Sequence, residues 1–313
     1  MNEVIPDALD GERIDRVLSM VADVSRSTAA DAIAGEQVSL DGSVVTARST
    51  RVRADQTLTF PPDLGETVEF LEPDPDVHVD VLHVDEQVIV VNKLPGQVVH
   101  PGAGNTTGTV AQGLLARYPD IADVGDPMRP GIVHRLDKGT SGVFMVARTP
   151  AAYDDLVAQL KARTVARTYR AVAWGNPDAR EGIIDAPLGR GVRDATRMTV
   201  REDGKPARTT YRVLAMWAKP AVCLVSCVLD TGRTHQIRVH LEAIHHPVYG
   251  DTRYSGGRQG STIDRPALHA ASLGFRHPAT GEWCEFASPL PEDMVAVLDS
   301  FGAPEWGSLS DVG

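Results

Sequence analysis

The apolar runs in the second half of the sequence limit the folds that this chain can adopt. Residues 207–218 and 221–230 are rich in apolar and β-branched residues over lengths typical of long strands, and only two residues separate them. A similar run at 166–175 and shorter ones near Ile183 and Met198 precede them without an intervening helical pattern. Because a doubly wound sheet places a helix between successive strands, we expect an α+β fold with a mixed, mainly antiparallel sheet.

Helical patterns are fewer. Thr149 followed by Pro150 predicts the capped start of a helix over 151–163. Other helices are predicted at 108–117, 233–246 and 291–301, and other strands at 82–93, 142–148 and 267–275.

The first 65 residues are predicted to form a separate small α+β unit. The spacing of Ile14, Val17, Leu18 and Val21 predicts a helix, and Ser25 or Ser27 can cap a second one that ends at Gly35. A short hairpin is expected around Asp41-Gly42. We therefore predict an N-terminal module at 1–65, an exposed linker at 66–80 with a short strand near 67–71, a catalytic domain at 81–302 and a disordered tail at 303–313.

The run GIVHRLDKGTSG at 131–142 is the strongest candidate for a chemical site. It places Asp137 between Arg135 and Lys138, and nearby positive charge favours the ionised form of a carboxylate. A charged Asp on a glycine-rich turn beside a strand is well placed to act as a nucleophile. Taken alone, the run is more typical of a surface turn whose charges cancel.

Four segments in order resemble the RluA/RluD family of pseudouridine synthases. HRLD at 134–137, followed by TSG at 140–142, resembles the catalytic motif of that family. The segments at 88–102, 166–175 and 229–251 resemble its upstream strand and loop, its tyrosine-bearing strand and its last motif. The resemblance covers roughly residues 80–290 and implies the pseudouridine synthase fold.

The resemblance implies a role for each candidate residue. Asp137 is the nucleophile, Tyr169 stacks on uracil or moves a proton, and Arg233 pairs with Asp137 to orient it and keep it charged. Ile237 would form the apolar floor of the pocket, with Thr140 beside the nucleophile. We interpret His134 as structural, and the sequence leaves open which atom Asp137 attacks.

The implied reaction also sets expectations for RNA binding and cofactors. A paired uridine must be flipped out of its helix, and Arg135 is the natural candidate to fill the vacated space, with Lys138 as a further RNA contact. Pseudouridylation moves a glycosidic bond from nitrogen 1 to carbon 5 of uracil without redox change or group loss. We therefore expect no cofactor and no metal.

The charge distribution is compatible with RNA binding although the net charge is −11. Residues 131–240 hold 18 Lys and Arg against 10 Asp and Glu, so this stretch offers a local basic surface. The N-terminal unit resembles the αL-type RNA-binding module of the ribosomal-protein S-four type, with Arg13, Arg16 and Arg26 on its helical face. Residues 1–60 nevertheless hold 6 Arg against 10 Asp and Glu, so the sequence leaves its RNA affinity open.

Other classes of protein fit less well. The N-terminus has no apolar signal run, and no stretch approaches the roughly 20 apolar residues that span a membrane, so we expect a cytoplasmic monomer with no membrane contact. Three cysteines do not form a disulfide framework, and no spacing of Cys and His predicts zinc.

The sequence therefore predicts an RNA pseudouridine synthase that acts on structured RNA, with large-subunit ribosomal RNA as the first candidate. Isomerisation of tRNA or of another site, and a non-catalytic RNA-binding ribosome-assembly factor, are the alternatives. A glycosidase with an Asp nucleophile would need a second carboxylate as its acid partner, and the motif has none.

Overall fold

The computed structural model describes residues 1–64, 70–102, 104–192 and 194–309. The chain divides into two compact units, Met1–Glu69 and Phe70–Gly313. Leu71 and Val79 are buried in the core of the second unit, so the described part of the predicted linker belongs to that unit. Of the short strand predicted near 67–71, residues 67–69 lie outside the described residues, and 70–71 are not in a strand.

The N-terminal unit is a small α+β unit, as its sequence pattern predicts. In chain order its elements are β1 (Asn2–Val4), a 3₁₀ helix (Asp7–Leu9), α1 (Ile14–Val21), α2 (Arg26–Ala34), β2 (Ser39–Leu40), β3 (Ser43–Val44) and β4 (Thr57–Thr59). The Oγ of Ser25 accepts the N–H of Thr28 at 3.1 Å and caps α2. Asp41 and Gly42 both have positive φ, which gives the β2–β3 turn the left-handed geometry expected of Asp-Gly.

The second unit carries the larger sheet and the remaining helices. Its helices are α3 (Val110–Arg117), a 3₁₀ helix (Pro119–Ile121), α4 (Pro150–Ala162), α5 (Gln236–Ala243) and α6 (Glu292–Ser300). Its strands are β5 (Val81–Val84), β6 (Val88–Lys93), β7 (Ser141–Ala147), β8 (Ala166–Trp174), β9 (Glu181–Asp185), β10 (Leu188–Arg190), β11 (Met198–Val200), β12 (Arg208–Ala218), β13 (Ala221–Leu229), β14 (Leu268–Arg276), β15 (Trp283–Ala287) and β16 (Trp306–Gly307).

Within the described residues, the strands of the main sheet follow the order β16-β12-β13-β8-β14-β7-β6-β5, with β9 also paired to β12 and β15 to β14. The β7–β14 pair is parallel, and the other described pairs of this sheet are antiparallel. The prediction of a mixed, mainly antiparallel sheet is therefore confirmed. Strands β10 and β11 form a separate hairpin.

Both faces of the main sheet are covered. Cys223, Val225 and Cys227 of β13 lie in the larger apolar core, whereas Val222 and Leu224 lie in a second cluster with residues of α6. This alternation follows from the two-residue period of a strand. Cys223 and Cys227 are buried on the same face of β13, as their spacing predicts. No helix in the described ranges is long and apolar enough to cross a membrane.

The end of the chain is more ordered than its composition suggests. Residues 303–313 are predicted to be a disordered tail, but Trp306 and Gly307 pair with Met216 and Ala215 of β12. The guanidinium of Arg180 lies 4.0 Å from the centre of the Trp306 ring. A strand pairing and a cation–π contact hold this segment against β12, and the sequence of the segment alone does not predict either contact. Residues 310–313 lie outside the described part of the chain.

Gly142, at the start of β7, lets the turn that carries Asp137 enter the sheet beside β14. Its φ is 107°, and a Cβ at this position would lie 2.2 Å from the carbonyl oxygen of Ala270. Only glycine fits such a close backbone approach at positive φ.

We expect Gly142→Ala to lower the free energy of unfolding by roughly 3 kcal/mol, because it combines overpacking with an unfavourable φ. Gly281 is a matched control: its φ is 70°, but a Cβ added at this position would have no atom within 4 Å. Gly281→Ala should cost only about 1 kcal/mol. Equal losses for the two variants in urea denaturation would show that the contact with Ala270 is unimportant.

Candidate active site

A cavity of about 510 Å³ opens in the second unit between the Asp137 turn, β8 and the start of α5. Six of the residues singled out in the sequence line it: Arg135, Asp137, Thr140, Tyr169, Arg233 and Ile237. They come from three segments that are far apart in the chain. An adjoining cavity of about 1090 Å³ is lined by Lys138, and Asp137 and Arg135 line both.

A buried lysine, Lys93, donates a hydrogen bond to the turn that carries Asp137. The ammonium of Lys93, at the end of β6, donates hydrogen bonds to the carbonyls of Leu94 and Gln97 at 2.9 Å and of Lys138 at 3.3 Å. The N–H of Gly96 donates to the same Lys138 carbonyl at 2.8 Å. The loop after β6 and the catalytic turn are therefore joined directly behind Asp137.

An arginine, Arg265, donates a hydrogen bond to the next carbonyl of the same turn. Arg265 donates from Nη1 to the carbonyl of Gly139 at 3.0 Å, and its Nε and Nη2 form a two-pronged ion pair with Asp293 of α6. Within the turn, the N–H of Thr140 donates to the carbonyl of Asp137 at 3.0 Å. A glycine-rich turn is thereby given a single geometry, which a positioned nucleophile requires.

The arginine that contacts the carboxylate of Asp137 is Arg238. Its Nη1 lies 3.3 Å from Oδ2 of Asp137, whereas Nε of Arg233 donates to the carbonyl of Pro206 at 3.0 Å. The prediction that Arg233 pairs with Asp137 is therefore wrong. The helix was expected to include residue 233, but α5 begins at Gln236, after His235 in a left-handed conformation, and Arg238 lies in its first turn.

A second, fully buried carboxylate orients Arg238. Asp251 accepts its Nε at 2.5 Å and its Nη2 at 3.0 Å, and also accepts the backbone N–H groups of Arg253 and Tyr254. Burial disfavours the charge of Arg238, but the hydrogen bonds and charge of Asp251, together with Asp137, outweigh it and raise the pKa of Arg238. The guanidinium thus stays charged and presents its remaining edge to Asp137.

Tyr169 and His134 have distinct environments. Tyr169, on β8, is only 7% exposed, and burial raises its pKa, with the charge of Asp137 adding to this effect against Arg167. Its phenol is therefore protonated beside the cavity. His134 accepts the N–H of Met145 at Nε2, and burial lowers its pKa to about 3, which fits the structural role expected of it.

The predicted RNA-binding residues of the catalytic unit contact polar side chains of the loop after β6. Nη1 of Arg135 lies 3.4 Å from Nε2 of His100, and Nζ of Lys138 donates to Oδ1 of Asn105 at 3.0 Å. The sequence suggested that these two cations keep Asp137 charged, but the arginine that forms an ion pair with its carboxylate is Arg238. Arg135 and Lys138 both line the adjoining cavity.

In the N-terminal unit, the three predicted RNA-binding arginines are engaged with acidic side chains. Arg13 and Arg26 both contact Asp15, and Arg16 contacts Glu12. Part of their charge is therefore balanced within the unit.

Comparisons with known proteins identify the family of the chain. The family model described as RNA pseudouridylate synthase matches residues 87–243, a range that contains Asp137, Tyr169 and Arg238. The chain belongs to this family. YlyB of Bacillus subtilis, named as an uncharacterized RNA pseudouridine synthase, is 44% identical over 290 residues, which cover 92% of this chain and 94% of that protein.

Two further relatives extend the comparison. The protein named ribosomal large subunit pseudouridine synthase D of Vibrio parahaemolyticus is 41% identical over 313 residues and covers 96% of this chain, with 94% of its own length matched. The solved structure of human RNA pseudouridylate synthase domain containing 1 matches with a TM-score of 0.59 and 27% identity over 77% of this chain and 94% of its own. This chain is therefore an isomerase with the pseudouridine synthase fold.

Four residues that hold the site were not singled out in the sequence: Arg238, Asp251, Lys93 and Arg265. Arg238 lies five residues after Arg233 in the same motif, so a basic residue was expected nearby but assigned to the wrong position. Lys93 and Arg265 carry no local signal, since each acts on backbone carbonyls of a distant turn.

Arg238→Ala should lower single-turnover isomerisation by at least about 100-fold, because it leaves two carboxylates without their shared partner. Arg233→Ala is the matched control and should stay within a few-fold of the unmodified protein. Both rates are measured on pre-bound RNA. The opposite ranking of the two variants would make Arg233 the partner of the nucleophile.

The buried Lys93 makes a pH-dependent contribution to stability. Burial lowers its pKa from 10.5 to about 7, although the charge of Asp137 acts in the opposite direction and Arg265 adds to the lowering. Between these two values the unfolded chain binds the proton and the folded chain does not. The unfolded state therefore binds more protons in this window, and the contribution of Lys93 to stability rises with pH. This contribution is lowest below pH 7, where the folded state must bury the charged group, and highest above pH 10.5, where both states are neutral.

We expect the free energy of unfolding to rise with pH above 7 by up to about 1.4 kcal/mol per pH unit from this group. In Lys93→Met the rise should be smaller by that amount, whereas the exposed Lys161→Met should keep it. Urea denaturation of the three proteins at pH 7, 8 and 9 measures the difference. Parallel curves for all three would mean that Lys93 titrates normally.

Proposed function

We propose that this chain converts one or more uridines of large-subunit ribosomal RNA to pseudouridine. The observation that carries the chemistry is that Asp137 lines the 510 Å³ cavity together with Tyr169 and Arg238, and that the guanidinium of Arg238 contacts its carboxylate. The choice of ribosomal RNA rests on relatives named ribosomal large subunit pseudouridine synthase D, which match 96% of this chain at 38–41% identity. A match over 96% of the chain includes the N-terminal unit as well as the second unit.

The side chains at the site suffice for the reaction we propose. A flipped uridine would place its uracil against Tyr169 and its sugar near Asp137, with Arg135 filling the space that the base leaves. The bond from C1′ to N1 breaks, the base turns, and a bond from C1′ to C5 forms, while C5 loses a proton and N1 gains one. The atom that Asp137 attacks stays open, and since no electron is gained or lost we propose that no cofactor takes part.

The decisive test is the modification itself. In cells that lack this chain, pseudouridine mapping of large-subunit RNA should show the loss of at least one modified uridine. Expression of the unmodified chain should restore that uridine. Asp137→Asn keeps the shape and hydrogen bonding of the side chain but removes its negative charge, so it should bind RNA and restore nothing.

Two alternatives predict other results of the same experiment. Loss of pseudouridine from tRNA alone would assign the chain to a different substrate. An unchanged modification map together with defective ribosome assembly, rescued equally by Asp137→Asn, would identify a non-catalytic assembly factor.

We propose that most phosphate contacts come from the catalytic unit, because Arg13, Arg16 and Arg26 are paired with acids whereas Arg135 and Lys138 face a cavity. Each phosphate contact steepens the dependence of log affinity on log salt by about 0.7–0.9.

The double variant Arg135→Gln/Lys138→Gln should therefore reduce that slope by about 1.4–1.8. The triple variant Arg13→Gln/Arg16→Gln/Arg26→Gln, made in the full chain, should change it by less than about 1. Salt titrations of RNA binding compare the two. A larger effect of the triple variant would make the N-terminal unit the main electrostatic anchor.

A further inference from the structure

His235 lies beside the nucleophile and was not among the expected site residues. It has a left-handed backbone (φ 57°) immediately before α5, and its Nε2 lies 3.9 Å from Oδ2 of Asp137. A non-glycine residue in this conformation just before the helix is uncommon and suggests a constraint on where its ring points. The other ring nitrogen, Nδ1, lies 2.8 Å from the hydroxyl of Tyr254.

The hydrogen bonds of Tyr254 determine the direction of this contact. Tyr254 is fully buried, and its hydroxyl oxygen accepts the backbone N–H of Met198, at the start of β11, at 2.9 Å. A buried hydroxyl proton needs an acceptor, and among the contacts of the described residues Nδ1 of His235 is the acceptor within reach. Nδ1 therefore accepts, and the proton of the neutral imidazole lies on Nε2, facing Asp137.

The protonation states agree with this direction. Burial raises the pKa of Tyr254, so its hydroxyl keeps its proton, although the nearby arginines act against this. Burial also lowers the pKa of His235, with Asp137 opposing and Arg238 adding to the lowering, so the ring is neutral near pH 7.

We propose that His235, held in its Nε2–H tautomer by Tyr254, is a positioning residue for Asp137. Arg238 and His235 both approach Oδ2 of the carboxylate, which leaves Oδ1 as the oxygen that reacts. The 3.9 Å separation is too long for a hydrogen bond in the free protein, and such contacts commonly tighten when substrate binds. This inference rests on the pseudouridine synthase activity and not on ribosomal RNA as the substrate.

The successive contacts Met198–Tyr254, Tyr254–His235 and His235–Asp137 also connect the β10–β11 hairpin to Asp137. The same tyrosine ring lies beneath the guanidinium groups of Arg197 and Arg238, at 5.0 and 4.9 Å from its centre. Tyr254 is thus in contact with an arginine next to the hairpin and with the arginine that contacts Asp137.

The tautomer is measured directly on the unmodified protein. Nitrogen-15 correlation spectra of histidine-labelled protein near neutral pH distinguish a protonated Nε2 from a protonated Nδ1, with His235→Gln used to assign the signal. We expect the Nε2–H form for His235 and a mixture of tautomers in Tyr254→Phe. An Nδ1–H form in the unmodified protein would overturn the proposal, and this experiment needs no RNA.

The role in turnover is tested by a double-mutant cycle on an RNA that the unmodified chain converts. Tyr254→Phe and His235→Ala should each lower single-turnover isomerisation by about tenfold or more, with RNA affinity within about twofold. His235→Gln, whose amide nitrogen can replace Nε2–H, should recover part of the loss. Tyr211→Phe, at a buried tyrosine whose hydroxyl donates to the carbonyl of Ala179 outside both cavities, should have no effect.

The cycle distinguishes positioning from general packing. If Tyr254 acts through His235, adding Tyr254→Phe to His235→Ala should cause no further loss of turnover. Additive losses, or a loss confined to RNA affinity, would mean that the two side chains do not act together on Asp137.

Discussion

The guanidinium of Arg238 lies between two carboxylates, and the geometry of the active site depends on that arrangement. Asp251 is fully buried and fixes two of the three guanidinium nitrogens, so the third is directed at Asp137. A buried charge of this kind is costly unless its partners are in place. Arg238 comes from α5 and Asp251 from the loop that follows α5, so Asp137 is oriented by a side chain that is itself held in place.

The backbone around Asp137 is likewise held by side chains from distant segments. Lys93 and Arg265 donate to the carbonyls of Lys138 and Gly139, two consecutive residues of the turn after Asp137. A turn made of small residues is flexible in isolation, and these two side chains remove that freedom. The rigidity of the nucleophile therefore comes from β6 and from the segment before β14, and not from the turn itself.

Much of the fold could be predicted from the sequence, because strand and helix periods are local properties. The long strands β12 and β13, the capped helix α4 and the Asp41-Gly42 turn all follow from local patterns. Asp137, Thr140, Tyr169 and Ile237 were expected to meet, and they line one cavity. Strand β16 could not be predicted, since two residues in a polar tail gain order only from β12.

The remaining differences concern contacts between distant segments. Arg233 and Arg238 are indistinguishable in the motif, and the contact with Asp251 decides which of them is buried beside the nucleophile. The start of α5 also differs from the prediction. His235 has a left-handed backbone, so the helix begins at Gln236, three residues later than predicted. Lys93 has the sequence context of an ordinary strand-end lysine, and only the packing of two loops makes it a buried donor.

The most direct test of this account is the single-turnover rate of Asp251→Asn on pre-bound RNA. The amide oxygen can keep the hydrogen bonds to the N–H groups of Arg253 and Tyr254, while the amide nitrogen opposes Nε of Arg238 and the charge is lost. We expect RNA affinity within about twofold and a rate at least about 100-fold lower, since Arg238 loses its anchor. An unchanged rate would contradict the claim that Asp251, through Arg238, orients Asp137.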